Sequence, residues 1–196
     1  VTTIAFRDNI LAADQCHTVM ENGEDPSSRC YANKIRLVSI GAYHRFAIAT
    51  KGDSIDGVLV ERAVKSHIEK ALEAGIEPHL DESFDDWGVD MTKTKWNDPD
   101  AGTDGIILYR DLRHERTITA WLIDADPRVI RRIKKGDFVS VGCDSPLALA
   151  AMEAKAGAAF AVWVAAKYGV ATAGPVNTVN AATMVLSTSK VSPLDQ

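Results

Sequence analysis

Between residues 54 and 74 the apolar side chains Ile55, Val58, Leu59, Ala63, Val64, Ile68 and Leu72 recur at mostly helical spacing. One broad face of a helix carries them all. Asp53 or Ser54 can cap its first turn, and Gly75 stops it. The flanks follow a different period. On the N-terminal side, Ile4 and Phe6 precede the turn dipeptide Asp8-Asn9, and Ile10-Leu11-Ala12-Ala13 follows as a second strand ended by Asp14. Residues 22–28, with Gly23, Asp25 and Pro26, read as a loop. Ile35, Leu37, Val38 and Ile40 form a strand that Gly41-Ala42-Tyr43 turns into Phe46-Ala47-Ile48-Ala49. Two consecutive hairpins ahead of a helix predict a largely antiparallel sheet.

Strand patterns return after the helix at residues 105–109, 117–123 and 138–141. Ser145-Pro146 then reads as a capping serine with proline at the first helical position. The helical stretch to Tyr168 is rich in alanine, and Gly157 splits it in two. Such small side chains let helices approach a neighbour closely. Gly174-Pro175 begins a last strand pair, 176–179 and 183–187. Strands, helix, strands, helix pair, strands is the order of an α+β layered sandwich, with helices covering sheets. Residues 77–104 are acidic and polar, with Trp87 and Trp96 among Asp81, Glu82, Asp85, Asp86, Asp90, Asp98 and Asp100. That is too long for a simple connector. It reads either as a solvated excursion or as a loop that meets substrate or a neighbouring subunit.

With 196 residues, 46% of them hydrophobic, the chain can bury one substantial core, so a single domain over 1–196 with an insertion at 76–103 is expected. Net charge is -5 and the cations form no stripe, which argues against a nucleic-acid partner. No apolar run approaches the roughly 20 residues of a membrane span. Arg7 and Asp8 interrupt the segment where a signal peptide would build its apolar stretch. Cys16, Cys30 and Cys143 are an odd count without CxxC spacing, as in a cytoplasmic protein with reduced thiols.

Familiar site motifs are missing from the sequence: there is no GxSxG, P-loop, HExxH or GxGxxG. His17, His44, His67, His79 and His114 are scattered, and none pairs at metal-ligand spacing. No metal or cofactor is therefore expected. What remains is Val1-Thr2-Thr3. A threonine hydroxyl is a weak nucleophile that needs a base. On a terminal threonine the α-amine can be that base, since its reference pKa is about 7.7–8.0. A neighbouring lysine ammonium favours the neutral amine further.

Thr2-Thr3-Ile4-Ala5-Phe6 and Leu11-Ala12-Ala13-Asp14 resemble the opening of proteasome β subunits and of the bacterial ring protease HslV. The resemblance runs over most of the chain outside 76–103. It implies a four-layer αββα sandwich of antiparallel sheets, the fold of N-terminal-nucleophile hydrolases. It also implies a threonine endopeptidase with Thr2 as nucleophile, Lys34 as the catalytic lysine and Asp14 holding it. Thr18 falls where the family's backbone binds extended substrate, and Gly52 in the turn that supplies an oxyanion-hole N–H. Gly142-Cys143-Asp144 aligns with a Gly-Ser-Gly segment, which gives Cys143 the place of a serine that orients the terminal amine. Thr172 matches the Ser/Thr of the segment after the last helix. Polypeptides are the implied substrates. Stacked homo-oligomeric rings of six or seven subunits are the implied assembly, and an ATP-dependent unfoldase is a partner the resemblance allows.

Two departures stand out. Gly169 lies where the family has an aspartate in the same network, and Cys143 replaces the serine. Val1 admits three readings. It stands for a start residue trimmed to expose Thr2, or it replaces a threonine nucleophile, or it is a retained extension that turns the amine of Thr2 into an amide. Two rival functions follow: a small-amide hydrolase of the same fold, and a catalytically weak or inactive ring or scaffold subunit.

Overall fold

The computed structural model describes residues 2–20, 26–31, 33–51, 54–80, 103–114, 118–124, 129–169, 172 and 174–189. Strands β1 (Thr3–Arg7) and β2 (Ile10–Asp14) form the expected hairpin. Asp8 and Asn9 both take positive φ, 50° and 63°. That is the two-residue type I′ turn whose twist matches the flanking strands. Strands β3 (Cys16–Met20) and β4 (Pro26–Tyr31) pair as a small sheet of their own. The loop expected at 22–28 is thus corrected: Pro26 already begins a strand. The second expected hairpin is β5 (Ile35–Ile40) with β6 (His44–Thr50), and it belongs to a different sheet from the first.

Helix α1 (Ser54–Glu73) ends as the sequence predicts. Gly75 sits at φ 70°, its N–H bonds Leu72 and the N–H of Ile76 bonds Ala71, the paired bonds of a Schellman cap. Then come β7 (Gly105–Asp111), β8 (Ile118–Asp124), β9 (Val129–Ile133) and β10 (Val139–Gly142), of which β9 is unexpected. Helices α2 (Ser145–Glu153) and α3 (Ala158–Tyr168) precede β11 (Val176–Asn180) and β12 (Val185–Ser189). The helix break differs in detail from expectation. Lys155 takes the left-handed conformation at φ 71°, and Gly157 is the N-cap of α3. Arg7 reaches from β1 to the carbonyls of Met152 and Ala156 and satisfies the end of α2.

The first sheet runs β10-β1-β2-β11-β12 and the second β5-β6-β7-β8-β9, every pairing antiparallel. Alternation along the strands sends residues to two cores. Ile4, Phe6, Leu11 and Ala13 of the first sheet pack on Ala47, Ile106, Leu108 and Leu122 of the second. On the outer face of the first sheet, Ala5 and Ala12 meet Ala148, Ala158, Ala161 and Ala165 of α2 and α3. On the outer face of the second, Phe46, Ile48, Ile107 and Trp121 meet Val60, Val64 and Ile68 of α1. The molecule is an α+β sandwich with two antiparallel sheets between helices.

Residues 81–102, most of the acidic excursion, lie outside the described residues. Its two ends are anchored, because Leu80 and Thr103 are fully buried. Among the described residues, no helix is long and apolar enough to cross a membrane.

Candidate active site

The end of β2 carries a carboxylate into the interior. Asp14 is fully buried, and its oxygens take four bonds. Oδ1 accepts the N–H of Thr3 at 2.8 Å, and Oδ2 accepts the N–H of Cys16 at 3.0 Å. Lys34 donates to both oxygens, at 3.1 and 3.0 Å. The lysine side chain is only 3% exposed. Burial pushes its ammonium below the ordinary lysine value, and the Asp14 carboxylate opposes that shift. A buried ion pair holds when its remaining hydrogen-bonding capacity is filled, which the two N–H donors do for Asp14.

Lys34 owes its place to the turn before β5. Asn33 Oδ1 accepts the N–H of Ile35 at 3.0 Å and an Nδ2–H of Asn177 at 2.7 Å. Asn177, buried on β11, in turn accepts from Gln15 Nε2 at 2.6 Å and Thr188 Oγ1 at 2.8 Å. This amide chain ties the lysine's turn to Gln15, the residue after Asp14, and to β11 and β12.

Beside the ion pair lies a second line of bonds. The hydroxyls of Thr3 and Thr172 are 2.5 Å apart, and either can donate. The N–H of Thr172 donates to Asp144 Oδ2 at 2.7 Å. The carbonyl of Thr2 accepts the N–H of Cys143 at 3.1 Å. Gly142 makes that approach possible. It sits at φ 115°, and a Cβ there would overlap the Thr2 carbonyl. Thr2, Thr3 and Thr172 are all buried.

The structure therefore brings Thr2, Asp14, Lys34, Cys143 and Thr172 to one place at the ends of β1, β2 and β10. Cys143 contributes its backbone N–H; its thiol is exposed and free, and both Cys143 and the buried Cys16 lie within electrostatic reach of Lys34. Thr18 stands on β3 opposite Arg29. Gly52 and Val1 lie outside the described residues. The residue before Gly52 is pinned, since Lys51 bonds Asp104 through its N–H at 2.7 Å and its ammonium at 3.0 Å. Among the described residues no three His, Cys, Asp or Glu converge as metal ligands.

Three residues of the site escaped the sequence reading: Thr3, Asn177 and Asp144. Thr3 was legible in principle, being the β1 residue facing Asp14 across the hairpin. Asp144 was hidden by its context. Before Ser145-Pro146 the serine reads as the cap, whereas Asp144 holds the N-cap position without a side-chain capping bond. Gly169 is bare, and a Cβ there would overlap the Asp144 carboxylate and the carbonyl of Ala165.

No protein-family model matches the sequence, and no curated protein matches it. Solved structures share its fold. An Anbu described as an ancestral beta-subunit, from Yersinia bercovieri, superposes with a TM-score of 0.65 at 8% identity, covering 99% of this chain and 89% of that one. The Anbu (Gly-1) mutant from Hyphomicrobium sp. strain MC1 gives 0.63 at 13%, covering 98% and 87%. The helical assembly of the Anbu complex from Pseudomonas aeruginosa gives 0.60 at 8%, covering 98% and 87%. At such identities the likeness is one of fold.

Proposed function

We propose that this chain is a proteasome-type β subunit, a threonine endopeptidase with the four-layer fold of N-terminal-nucleophile hydrolases, acting as a single domain over 1–196. The observation that carries this reading is the double use of Asp14. One buried carboxylate binds the Lys34 ammonium and the N–H of Thr3, so the lysine is fixed beside the segment that bears Thr2. The Anbu fold likeness supports the same assignment.

In this reading Thr2 is the first residue of the mature chain. Its Oγ attacks a peptide carbonyl while its α-amine, through a water, takes the hydroxyl proton. The amine then passes the proton to the leaving nitrogen, an ester forms, and water hydrolyses it. Lys34 stands as a fixed positive charge that favours the neutral amine and stabilises the developing alkoxide. Backbone N–H near Gly52 serves the oxyanion, an effect worth about 2.7–4 kcal/mol for one donor in a serine protease. Substrate binds extended, as an added strand along Thr18 and Gly52. Cys143 and Thr172 hold the Thr2 segment at its carbonyl side and through Thr3.

The active form is a homo-oligomer. Head-to-tail contacts close into stacked rings of six or seven subunits, or stay open as a helix when the rotation does not close. The helical Anbu complex of Pseudomonas aeruginosa makes the second geometry a defined alternative.

The test joins two mass measurements. Intact mass gives the residue at which the mature chain starts. A peptide epoxyketone, which needs a hydroxyl and a free amine on one threonine, should then add to Thr2. A chain starting at Thr2 that takes no adduct would overturn the peptidase reading.

A further inference from the structure

We propose that Asp144 is a positioning residue of the threonine centre, and that position 169 is glycine in order to admit its carboxylate. This rests on the reading above. Asp144 stands at the N-cap of α2, where a carboxylate ordinarily accepts an N–H of the helix's own first turn. It makes no such bond. The first turn is instead served by its carbonyl, which accepts the N–H of Leu147 at 3.1 Å. The side chain turns away to the N–H of Thr172, and the residue is 7% exposed.

From there the bonds run without interruption. Thr172 is joined to Thr3 through their hydroxyls, Thr3 to Asp14 through its N–H, and Asp14 to Lys34. Two buried carboxylates thus bear on the start of β1. Asp14 holds Thr3 directly, and Asp144 holds it through Thr172. The residue ahead of Thr3 is the proposed nucleophile, so its hydroxyl inherits whatever precision this grip provides. The proposed effect of Asp144 passes through Thr172, whose N–H it accepts.

Gly169 supplies the second observation. Its backbone, φ -77° and ψ 164°, is one that any residue adopts. Conformation does not call for glycine there. Space does: the volume of a Cβ is taken by the Asp144 carboxylate and the Ala165 carbonyl. The end of α3 is kept bare so that the head of α2 can place a carboxylate under Thr172.

The experiment uses the full-length chain with Asp144→Ala, Asp144→Asn, Gly169→Ala and the double variant D144A/G169A. Amide hydrogen exchange is read first. In Asp144→Ala the N–H of Thr172 should exchange about tenfold to a hundredfold faster, as a lost bond to a charged acceptor implies. Thr3 should follow in the same direction, while Ile48 and Ile107 of the second sheet stay protected. Asp144→Asn keeps an accepting oxygen and should retain most of the protection. Turnover of a peptide substrate is read second. Asp144→Ala should lower kcat by about tenfold to a hundredfold with KM little changed, the signature of a displaced nucleophile, and Asp144→Asn should recover much of it. Gly169→Ala should mimic Asp144→Ala, and D144A/G169A should be no worse than Gly169→Ala. Unchanged exchange at Thr172 in Asp144→Ala overturns the proposal. So does faster exchange at Thr172 that leaves Thr3 protected, because Asp144 would then be a local strut. If the wild type neither turns over peptide nor takes an epoxyketone, the peptidase reading falls, and exchange at Thr3 alone still decides whether Asp144 governs the start of β1.

Discussion

Lys34 is a cation in a place that disfavours cations, and Asp14 is the reason it can stay. Removing either partner leaves the other buried. Asp14→Ala also strips the acceptor from two N–H groups, those of Thr3 and Cys16. It should cost about 3–5 kcal/mol in a urea denaturation series. Lys34→Met should cost less, because the Asp14 carboxylate keeps those two donors. The pair also leaves a mark on pH dependence. The folded chain lowers the Lys34 value below 10.5. Between the two values the unfolded chain binds more protons, so this residue makes stability rise with pH there. Tyr109 acts with the opposite sign. Its phenol is pushed from 10.0 up to about 12, chiefly by burial. The unfolded chain ionises first, so stability falls as pH climbs through that interval. Urea midpoints across alkaline pH should therefore pass through a maximum. Lys34→Met should remove the rising limb and Tyr109→Phe the falling one. A flat profile in the wild type would contradict both assignments.

At the scale of elements, the legible parts were those whose signal is local. Asp8-Asn9, the helical stripe of α1, Gly75 and the alanines of α2 and α3 each state their role within a few residues. Asp14 and Lys34 were legible through the family resemblance and the hairpin that frames it. What stayed hidden depends on partners far along the chain. Strand β4 is mostly polar and begins at Pro26, and the apolar Cys16, Val19 and Met20 of β3 do not alternate, so neither strand shows a period of two. In β9, Ile130 and Ile133 are buried around the exposed Arg131 and Arg132. That spacing reads equally as one turn of a helix. Asp144 went unread because Ser145-Pro146 claims the cap, and the N–H it accepts lies 28 positions away. The α2–α3 break yields a direct test. Lys155 holds a left-handed conformation that glycine adopts freely. Lys155→Gly should stabilise the chain by about 1 kcal/mol, seen as a higher denaturation midpoint. Gly142→Ala should do the reverse. A Cβ there meets the Thr2 carbonyl, so the loss should exceed about 1 kcal/mol, and epoxyketone labelling should fall with it.

For the whole molecule, the two sheets and their helices leave some large apolar side chains outside. Tyr168, Ile76 and Val185 are 65%, 61% and 56% exposed. Scattered singly, such residues are ordinary. Light scattering on the purified chain decides the assembly. Closed stacked rings give one discrete mass, of twelve or fourteen subunits, whereas a helical assembly gives masses that grow with concentration. A monomer at every concentration would leave the proposed ring peptidase without its chamber.

The first sheet joins the earliest hairpin to the latest strands, with β2 lying between β1 and β11. Thr3 finds its hydroxyl partner 169 positions later. During synthesis the hairpin therefore leaves the ribosome long before the strands and the threonine that complete its surroundings. Long-range pairings of this kind form late. On the proposed peptidase reading, a growing or interrupted copy carries the threonines without the centre and has nothing with which to cut its neighbours. In that reading the order of translation works as a safety catch.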